Sequence, residues 1–164
     1  MNGEWRMAKQ TFSSFAIRSL AIPMEITMTY EEWEKTVHPR VVNEPVWGFF
    51  GYRKALFLYD LAWKDCEKLM EDRRGRANVD QLIRSAGSIS ANMEEGYGRG
   101  YGKEYAYFLR VSVGSARETK GWYWRNRHIL SQAVIDHRLA LLDEIISLTV
   151  TEIHRQKKHK RINE

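Results

Sequence analysis

Cysteine, proline and long apolar runs are scarce in this 164-residue sequence. Cys66 is the single cysteine, which excludes an internal disulfide framework and is typical of a reducing compartment. Three prolines are present, at positions 23, 39 and 45, and the absence of proline after residue 45 favours long, uninterrupted helices. No apolar run approaches the roughly 18 residues of a transmembrane helix. The sequence therefore predicts a cytoplasmic, helical protein without a membrane span.

Catalytic signatures are missing as well. The glycines at 96, 98, 100 and 102 follow a predicted helix instead of joining a strand to a helix, so they do not form a phosphate-binding loop. No Glu-x-x-His pair offers ligands for a di-metal site in a bundle. Cys66 lies on an apolar stripe, where we interpret it as a small core side chain and not as a nucleophile. We expect no enzymatic activity, no metal and no cofactor.

The positive charge is concentrated at one end of the chain. The net charge is +5, yet residues 28–153 contain 18 basic and 18 acidic side chains. Residues 154–164 contain five basic residues and one acidic residue. Such a tail is more often a solvated end than a specific binding arm.

Four segments can be distinguished along the chain. Residues 1–27 are expected to be a disordered extension, or to precede the native start at Met24 or Met28. Residues 28–50 are predicted to form an irregular arm with a short helix, since Thr29 and Glu32 make a capping box before an extended connector at 38–45. Residues 51–157 are predicted to form a four-helix bundle, and residues 158–164 a basic tail.

Apolar periodicity places the four bundle helices at about 51–72, 80–97, 103–128 and 134–157, with a loop at 73–76. In the first helix, Leu56, Trp63 and Met70 widen the predicted core stripe. The second helix carries small and apolar residues at Leu82, Ala86, Ile89, Met93 and Gly96. Short connections predict an all-α, antiparallel, up-down-up-down bundle.

Two helices indicate how the bundle packs. In the third helix, Gly114, Ser115 and Ala116 make a thin middle, which predicts close packing against the small face of the second helix. The fourth helix has a wide apolar face, and the aromatic run from Trp122 to Trp124 is expected to be exposed. Together they predict burial against a neighbouring subunit.

The central motif resembles the four-helix bundle proteins first described from intervening sequences of large-subunit ribosomal RNA genes. The resemblance covers roughly residues 28–153. The matching residues are Gln81-Leu82, Arg84, Ser88-Ile89-Ser90-Ala91-Asn92, Glu95-Gly96, Arg99, Glu104, Phe108-Leu109, Gly114-Ser115 and Glu118.

This resemblance implies a ring-shaped homopentamer of four-helix bundles. It also implies a relation to the accessory variability determinant of diversity-generating retroelements, a basic pentameric barrel that binds a reverse transcriptase and nucleic acid. The neutral body of the present chain departs from that basic character.

Two sets of candidate site residues follow. The first is a structural polar network near the end of the second helix, comprising Arg84, Asn92, Glu95, Arg99 and Glu118. The second is a nucleic-acid-binding set in which basic residues are interleaved with aromatic rings that can stack on bases. Its members are Arg117, Lys120, Trp124, Arg125 and Arg127 in the third helix, Arg73, Arg74 and Arg76 in the loop, and Lys157, Lys158, Lys160 and Arg161 in the tail.

The leading hypothesis is a non-catalytic oligomeric adaptor that binds RNA or single-stranded DNA, beside a reverse transcriptase as the resemblance implies. The alternative is a structural protein–protein scaffold that binds no nucleic acid. The two hypotheses differ in their expected response to salt, because phosphate contacts release counterions.

Overall fold

Residues 28–159 are the part of the chain that the computed structural model describes, and all regular structure within them is helical. The α-helices are α1 (Tyr30–Glu34), α2 (Pro39–Val42), α3 (Phe50–Glu71), α4 (Arg73–Arg99), α5 (Lys103–Arg125) and α6 (Gln132–His159), and a 3-10 helix spans Pro45–Gly48. The extension predicted over residues 1–27 lies outside the described residues. None of the described helices is long and apolar enough to cross a membrane.

The four long helices form the predicted all-α bundle. Helix α4 packs between α3 and α5, and α6 packs between α5 and α3, so the helices follow one another around the bundle. Helices α3 and α5 therefore occupy opposite corners. This arrangement leaves each of them with an outward face that no other bundle helix covers.

Close packing of α4 against α5 follows from small side chains on both helices. All five residues of the predicted α4 stripe are buried. Across the contact, the Ser112 hydroxyl donates to the Ile89 carbonyl at 2.8 Å and the Ser115 hydroxyl donates to the Ser88 hydroxyl at 3.0 Å. The prediction for Gly114 was wrong, because nothing lies within 4 Å of a Cβ placed there.

The segment 73–76 differs from the predicted loop, because it forms the first turn of α4. Asp72 caps the helix, with its Oδ1 accepting a hydrogen bond from the Arg74 backbone N–H at 2.7 Å. Gly75 faces the end of α3, where a Cβ would lie 2.3 Å from the Leu69 carbonyl oxygen. A single capping residue therefore connects the two helices.

The N-terminal arm is more helical than predicted. The predicted short helix is present as α1, with the capping box at Thr29 and Glu32, and it ends at Glu34. The segment 38–45, predicted to be extended, contains α2, because Pro39 occupies the first helical position, which tolerates proline. Trp33 attaches the arm to the bundle, and its indole N–H donates to Asp60 Oδ2 at 2.6 Å.

The surplus apolar surface lies on α3 and α5, not on α6. The large apolar side chains of α6 are buried or half-buried in their own chain along the described part of that helix. In contrast, Trp63 and Met70, predicted to widen the α3 core stripe, are 58% and 51% exposed. Tyr107 of α5 is also exposed.

The packing of α4 on α5 can be tested with two small residues. Ala86 is fully buried, so Ala86→Leu should overpack the contact and lower the free energy of unfolding by about 1–3 kcal/mol. Gly114→Ala should raise it by roughly 0.5–1 kcal/mol, because the site is open and alanine favours a helix. Urea denaturation measures both free energies of unfolding. Equal values for Ala86→Leu and wild type would contradict the close packing of α4 on α5.

Candidate nucleic-acid interface

The start of α4 and the end of α5 lie together at one end of the bundle. Asn78 Nδ2 donates to Asn126 Oδ1 at 2.9 Å, and a Cβ on Gly75 would lie 3.0 Å from Ile129 Cδ1. Since α4 and α5 are antiparallel, the first turn of one meets the last turn of the other. Two predicted basic patches, separate in the sequence, are thereby brought to the same end of the bundle. We call this surface the arginine–tryptophan end, comprising Arg73, Arg76, Trp124, Arg125 and Arg127.

Asn126 determines how the chain leaves α5 at this end. Its backbone N–H bonds to the carbonyls of the last α5 turn, and its side chain donates to the Trp122 carbonyl at 3.1 Å while accepting from Asn78. The residue is buried, although asparagine is usually exposed. Sequence reasoning did not identify it, because asparagine at a helix end is common for local reasons alone.

The aromatic and cationic side chains at this end stack on one another. The Arg127 guanidinium carbon lies 4.4 Å from the ring centroid of Trp124, and an Arg127 N–H donates to the Trp124 carbonyl at 2.8 Å. The Arg125 guanidinium lies over Trp122 in the same manner, at 4.9 Å. The Trp124 ring is 54% exposed. The exposed Trp124 ring, with the Arg127 guanidinium over it and Arg125 next to it in the sequence, offers stacking and phosphate contacts in one place.

Below this surface lies a buried ion pair that was absent from the predicted sites. Arg138 of α6 donates to both Asp65 oxygens of α3, at 2.8 Å through Nε and 3.1 Å through Nη2. The Tyr123 hydroxyl of α5 donates to Asp65 Oδ2 at 2.8 Å. The side chains of Arg138 and Asp65 are only 1% and 8% exposed. Three helices therefore share one polar cluster inside an apolar core.

Burial controls the protonation of the groups around this cluster. Burial, followed by the charge of Asp65, raises the pKa of Tyr123 well above its ordinary value and that of Cys66 to about 11. Cys66 is buried among apolar side chains, in agreement with the prediction that it is a small core side chain. The sequence does contain a signal for the ion pair, since Asp65 and Arg138 each fall at helical spacing between buried apolar positions.

Three other members of the predicted nucleic-acid set are placed differently. Arg74 pairs with Asp72 at 2.9 Å, and this contact holds the pKa of Asp72 well below its usual range. Lys120 pairs with Asp143 of α6. Arg117 is exposed on the outer face of α5, two turns away from the arginine–tryptophan end.

The tail lies at the opposite end of the bundle. The Gln156 Oε1 accepts a hydrogen bond from the Gly102 N–H at 3.0 Å, so the end of α6 meets the turn between α4 and α5. Gly100 and Gly102 allow that turn, with φ of 120° and 79°. Lys157 and Lys158 are therefore separated from Trp124 by most of the bundle length, and Lys160 and Arg161 lie outside the described residues.

The predicted polar network is divided between separate contacts. Arg99 pairs with Glu95 on the surface at 2.7 Å, and Asn92 donates to the Ser88 carbonyl at 2.6 Å. Glu118 accepts from the Trp122 indole N–H at 3.3 Å. Arg84 and Glu118 both line a groove of about 420 Å³ between α4 and α5, together with Gln81, Ser85, Ser88 and Ala91. Within one chain, these five residues do not form a continuous hydrogen-bonded network.

Comparison with known proteins relates this fold to one family. The family model described as 23S rRNA-intervening sequence protein matches residues 51–151. A solved structure of a protein with unknown function from the S23 ribosomal protein family of Bacteroides thetaiotaomicron VPI-5482 is similar, with a TM-score of 0.59 and 19% sequence identity. That similarity covers 63% of this chain and 97% of the other, and it supports the fold alone. No curated protein matches the chain.

Removing one partner of the buried ion pair should be costly. Arg138→Met leaves the Asp65 carboxylate buried without its cation, so we expect a loss of about 3–5 kcal/mol in the free energy of unfolding. The triple variant Asp65→Leu, Tyr123→Phe, Arg138→Met should recover much of the loss, because it leaves no member of the cluster unpartnered. Lys120→Met, which breaks a surface pair between α5 and α6, should cost about 0–1 kcal/mol. Guanidinium denaturation compares the three, and equal losses for Arg138→Met and Lys120→Met would contradict the structural role of the pair.

Stability should also depend on His137. Burial, followed by the charge of Arg138, lowers the pKa of His137, whose Nδ1 accepts from Arg138 Nη1 at 2.8 Å because arginine only donates. The unfolded chain therefore takes up a proton at a higher pH than the folded chain, and folding stability should fall as the pH drops below about 6.5.

The His137→Gln variant tests this pH dependence. It should lose less stability than the wild type between about pH 7.5 and about pH 5.5, since the titrating imidazole is gone. His154→Gln, which replaces an exposed histidine of the same helix, should follow the wild type. Urea midpoints at both pH values provide the measurement. An equal fall of the urea midpoint between the two pH values in wild type and His137→Gln would contradict the role of His137 in this pH dependence.

Proposed function

The chain belongs to the 23S rRNA-intervening sequence protein family, and on that premise we propose that it is a non-catalytic, homo-oligomeric adaptor that binds RNA or single-stranded DNA. The proposed contact surface is the arginine–tryptophan end of the bundle. The observation that carries the proposal is that the α4 and α5 basic patches lie at the same end of the bundle, where α5 also exposes the Trp124 ring.

The charge at this end supports binding to a phosphate backbone. Arg73, Arg76, Arg125 and Arg127 have no carboxylate partner at ion-pair distance among residues 28–159. Four cations are therefore available to exchange counterions for phosphates, although the body of the chain is neutral. The local charge, and not the net charge, supports the proposal.

The exposed indole supports selection of single strands. The Trp124 ring is exposed to solvent, and the Arg127 guanidinium lies over one of its faces. An unpaired base can stack on such a ring, whereas the bases of a duplex are already stacked on each other. We therefore expect a single strand to bind more tightly than a duplex of the same length and charge per strand.

The assembly is part of the same proposal. The family resemblance implies a homopentamer, and exposed apolar side chains on α3 and α5 provide a physical motive for association. In a ring, the arginine–tryptophan ends of the copies would act together on one strand, which raises the overall affinity. A reverse transcriptase is the protein partner that the resemblance implies.

A protein–protein scaffold is the second candidate function. The observation that favours it is the same exposed apolar surface, which requires a protein partner and no nucleic acid. In this case the arginine side chains would serve only solubility. The two candidates separate in a direct binding measurement.

Binding to nucleic acid should be strong at low salt and should involve one end of the bundle. We would titrate labelled single-stranded RNA, single-stranded DNA and a duplex by fluorescence anisotropy at about 50 mM and about 200 mM salt. Affinity should fall steeply with salt and should be lower for the duplex. Arg125→Ala/Arg127→Ala should weaken binding and reduce the salt dependence, and Trp124→Ala should cost about 1–3 kcal/mol of binding energy.

A matched control removes two charges from the opposite end. Lys157→Ala/Lys158→Ala lowers the net charge by the same amount and should change the affinity little. Equal losses of affinity in the two double variants would indicate that the binding is non-specific and electrostatic. No binding by the wild type at low salt would reject the proposal and leave the scaffold. Circular dichroism confirms that each variant is folded.

A further inference from the structure

The outward face of α3 combines large apolar side chains with acidic ones. Trp63 and Met70 are exposed, and the half-buried Leu56 continues their line toward the helix start. Asp60 and Glu67 are exposed on the same face, at spacings of three and four residues from Trp63. We call these five residues the α3 stripe. No other described element covers Trp63 or Met70.

The outward face of α5 combines apolar side chains with basic ones. Tyr107 is 55% exposed and Val111 is 38% exposed. Gly114 follows at helical spacing, and the space above it is open. Arg110 and Arg117 are exposed beside them. We call these five residues the α5 stripe.

The two stripes cannot cover each other within one chain. Helices α3 and α5 occupy opposite corners of the bundle, so their outward faces point away from each other. Two different exposed patches on one molecule are the condition for a head-to-tail contact between copies, in which one patch of each copy meets the other patch of the next. A two-fold contact, in contrast, would require one patch to match itself.

The charges of the two stripes are complementary in sign and in spacing. Asp60 and Glu67 are seven residues apart on α3, and Arg110 and Arg117 are seven residues apart on α5. Both separations correspond to about 10.5 Å along a helix axis, so both pairs can meet in one contact. Asp60 uses one carboxylate oxygen for the Trp33 indole, which leaves its other oxygen for an arginine.

The shapes of the two stripes are complementary as well. On α3 the bulky Trp63 lies between the two acids. On α5 the side-chain-free Gly114 lies between the two arginines, and nothing lies within 4 Å of a Cβ at that position. A large side chain facing a gap of this kind is the geometry by which helices interlock.

We propose that the α3 stripe of one copy docks on the α5 stripe of the next copy, so that the chain assembles head to tail. This inference rests on the homo-oligomer of the proposed function and specifies its interface. Repeated around a closed ring, the contact uses every stripe. It also assigns Arg117 to the contact between copies and removes it from the nucleic-acid-binding set.

Two single substitutions, each blocking one stripe, test the proposal. Trp63→Glu removes the knob of the α3 stripe and adds an acid. Gly114→Glu fills the gap of the α5 stripe with an acidic side chain. Both positions are exposed, so the chain should still fold, as circular dichroism and thermal melting will verify. By light scattering during size-exclusion chromatography, each variant alone should be a monomer.

Mixing the two variants gives the decisive measurement. Each retains the stripe that the other has lost, so an equimolar mixture should form a species of about twice the 19.3 kDa chain mass and nothing larger. Charge reversal provides an independent readout: Glu67→Arg and Arg117→Glu should each weaken assembly, and Glu67→Arg combined with the reversal of whichever arginine faces it across the contact, Arg110→Glu or Arg117→Glu, should restore it. Asp136→Arg, which reverses an exposed acid on α6, is the control and should assemble as the wild type does.

Each alternative result overturns the proposal in an identifiable way. A Gly114→Glu variant that still assembles would indicate a two-fold contact through α3, and an assembling Trp63→Glu variant one through α5. Variants that stay monomeric when mixed would reject the pairing of the stripes. A monomeric wild type would reject the oligomer itself, whereas loss of nucleic-acid binding alone would leave the interface intact.

Discussion

The ion pair between Asp65 and Arg138, with Tyr123 as its third member, is the constraint on which the arrangement of the bundle depends. A buried charge is tolerated only when its partners are in place, so these three side chains must meet. They come from three different helices. Once Tyr123 points inward, the helical rotation of about 100° per residue turns Trp122 and Trp124 toward the sides of α5. The buried cluster therefore determines what the surface presents.

Helix α5 thereby contributes to two different surfaces. Its last turn supplies Trp124 and Arg125 to the arginine–tryptophan end, which is the surface proposed for nucleic acid. Its middle supplies Tyr107 and Gly114 to the proposed contact between copies. Arginine occurs in both surfaces for different reasons. At the end of the bundle, arginine lies beside the exposed Trp124 ring. In the middle of α5, Arg110 and Arg117 lie on either side of Gly114, and the proposed partner of this surface is the α3 stripe of another copy. The two proposed contacts of α5 therefore use different residues of the helix.

The candidate site was predictable in its parts and not in its assembly. The stretch from Arg117 to Arg127 was recognisable because aromatic and basic residues alternate within one helix. Its meeting with the first turn of α4 depends on the antiparallel course of two helices, which places residues 48 positions apart in contact. The same course carries Lys157 and Lys158 to the opposite end, although charge alone grouped them with the arginines. The two residues of the buried ion pair are 73 positions apart, so a local pattern could indicate the burial of each residue but not their pairing.

The sequence by itself determined the all-α class and the buried face of α4, because small and apolar residues recur there at helical spacing against a polar remainder. Local capping at Thr29 was equally readable. The tertiary structure decided the rotation of α3 and α5, whose aromatic and aliphatic residues surround the helix on several sides. On such helices periodicity allows more than one inward face, and packing selects between them. Trp63 points outward and Asp65 inward because the Asp65 carboxylate is bonded to Arg138 and Tyr123 inside the bundle. These three residues come together only in the folded chain.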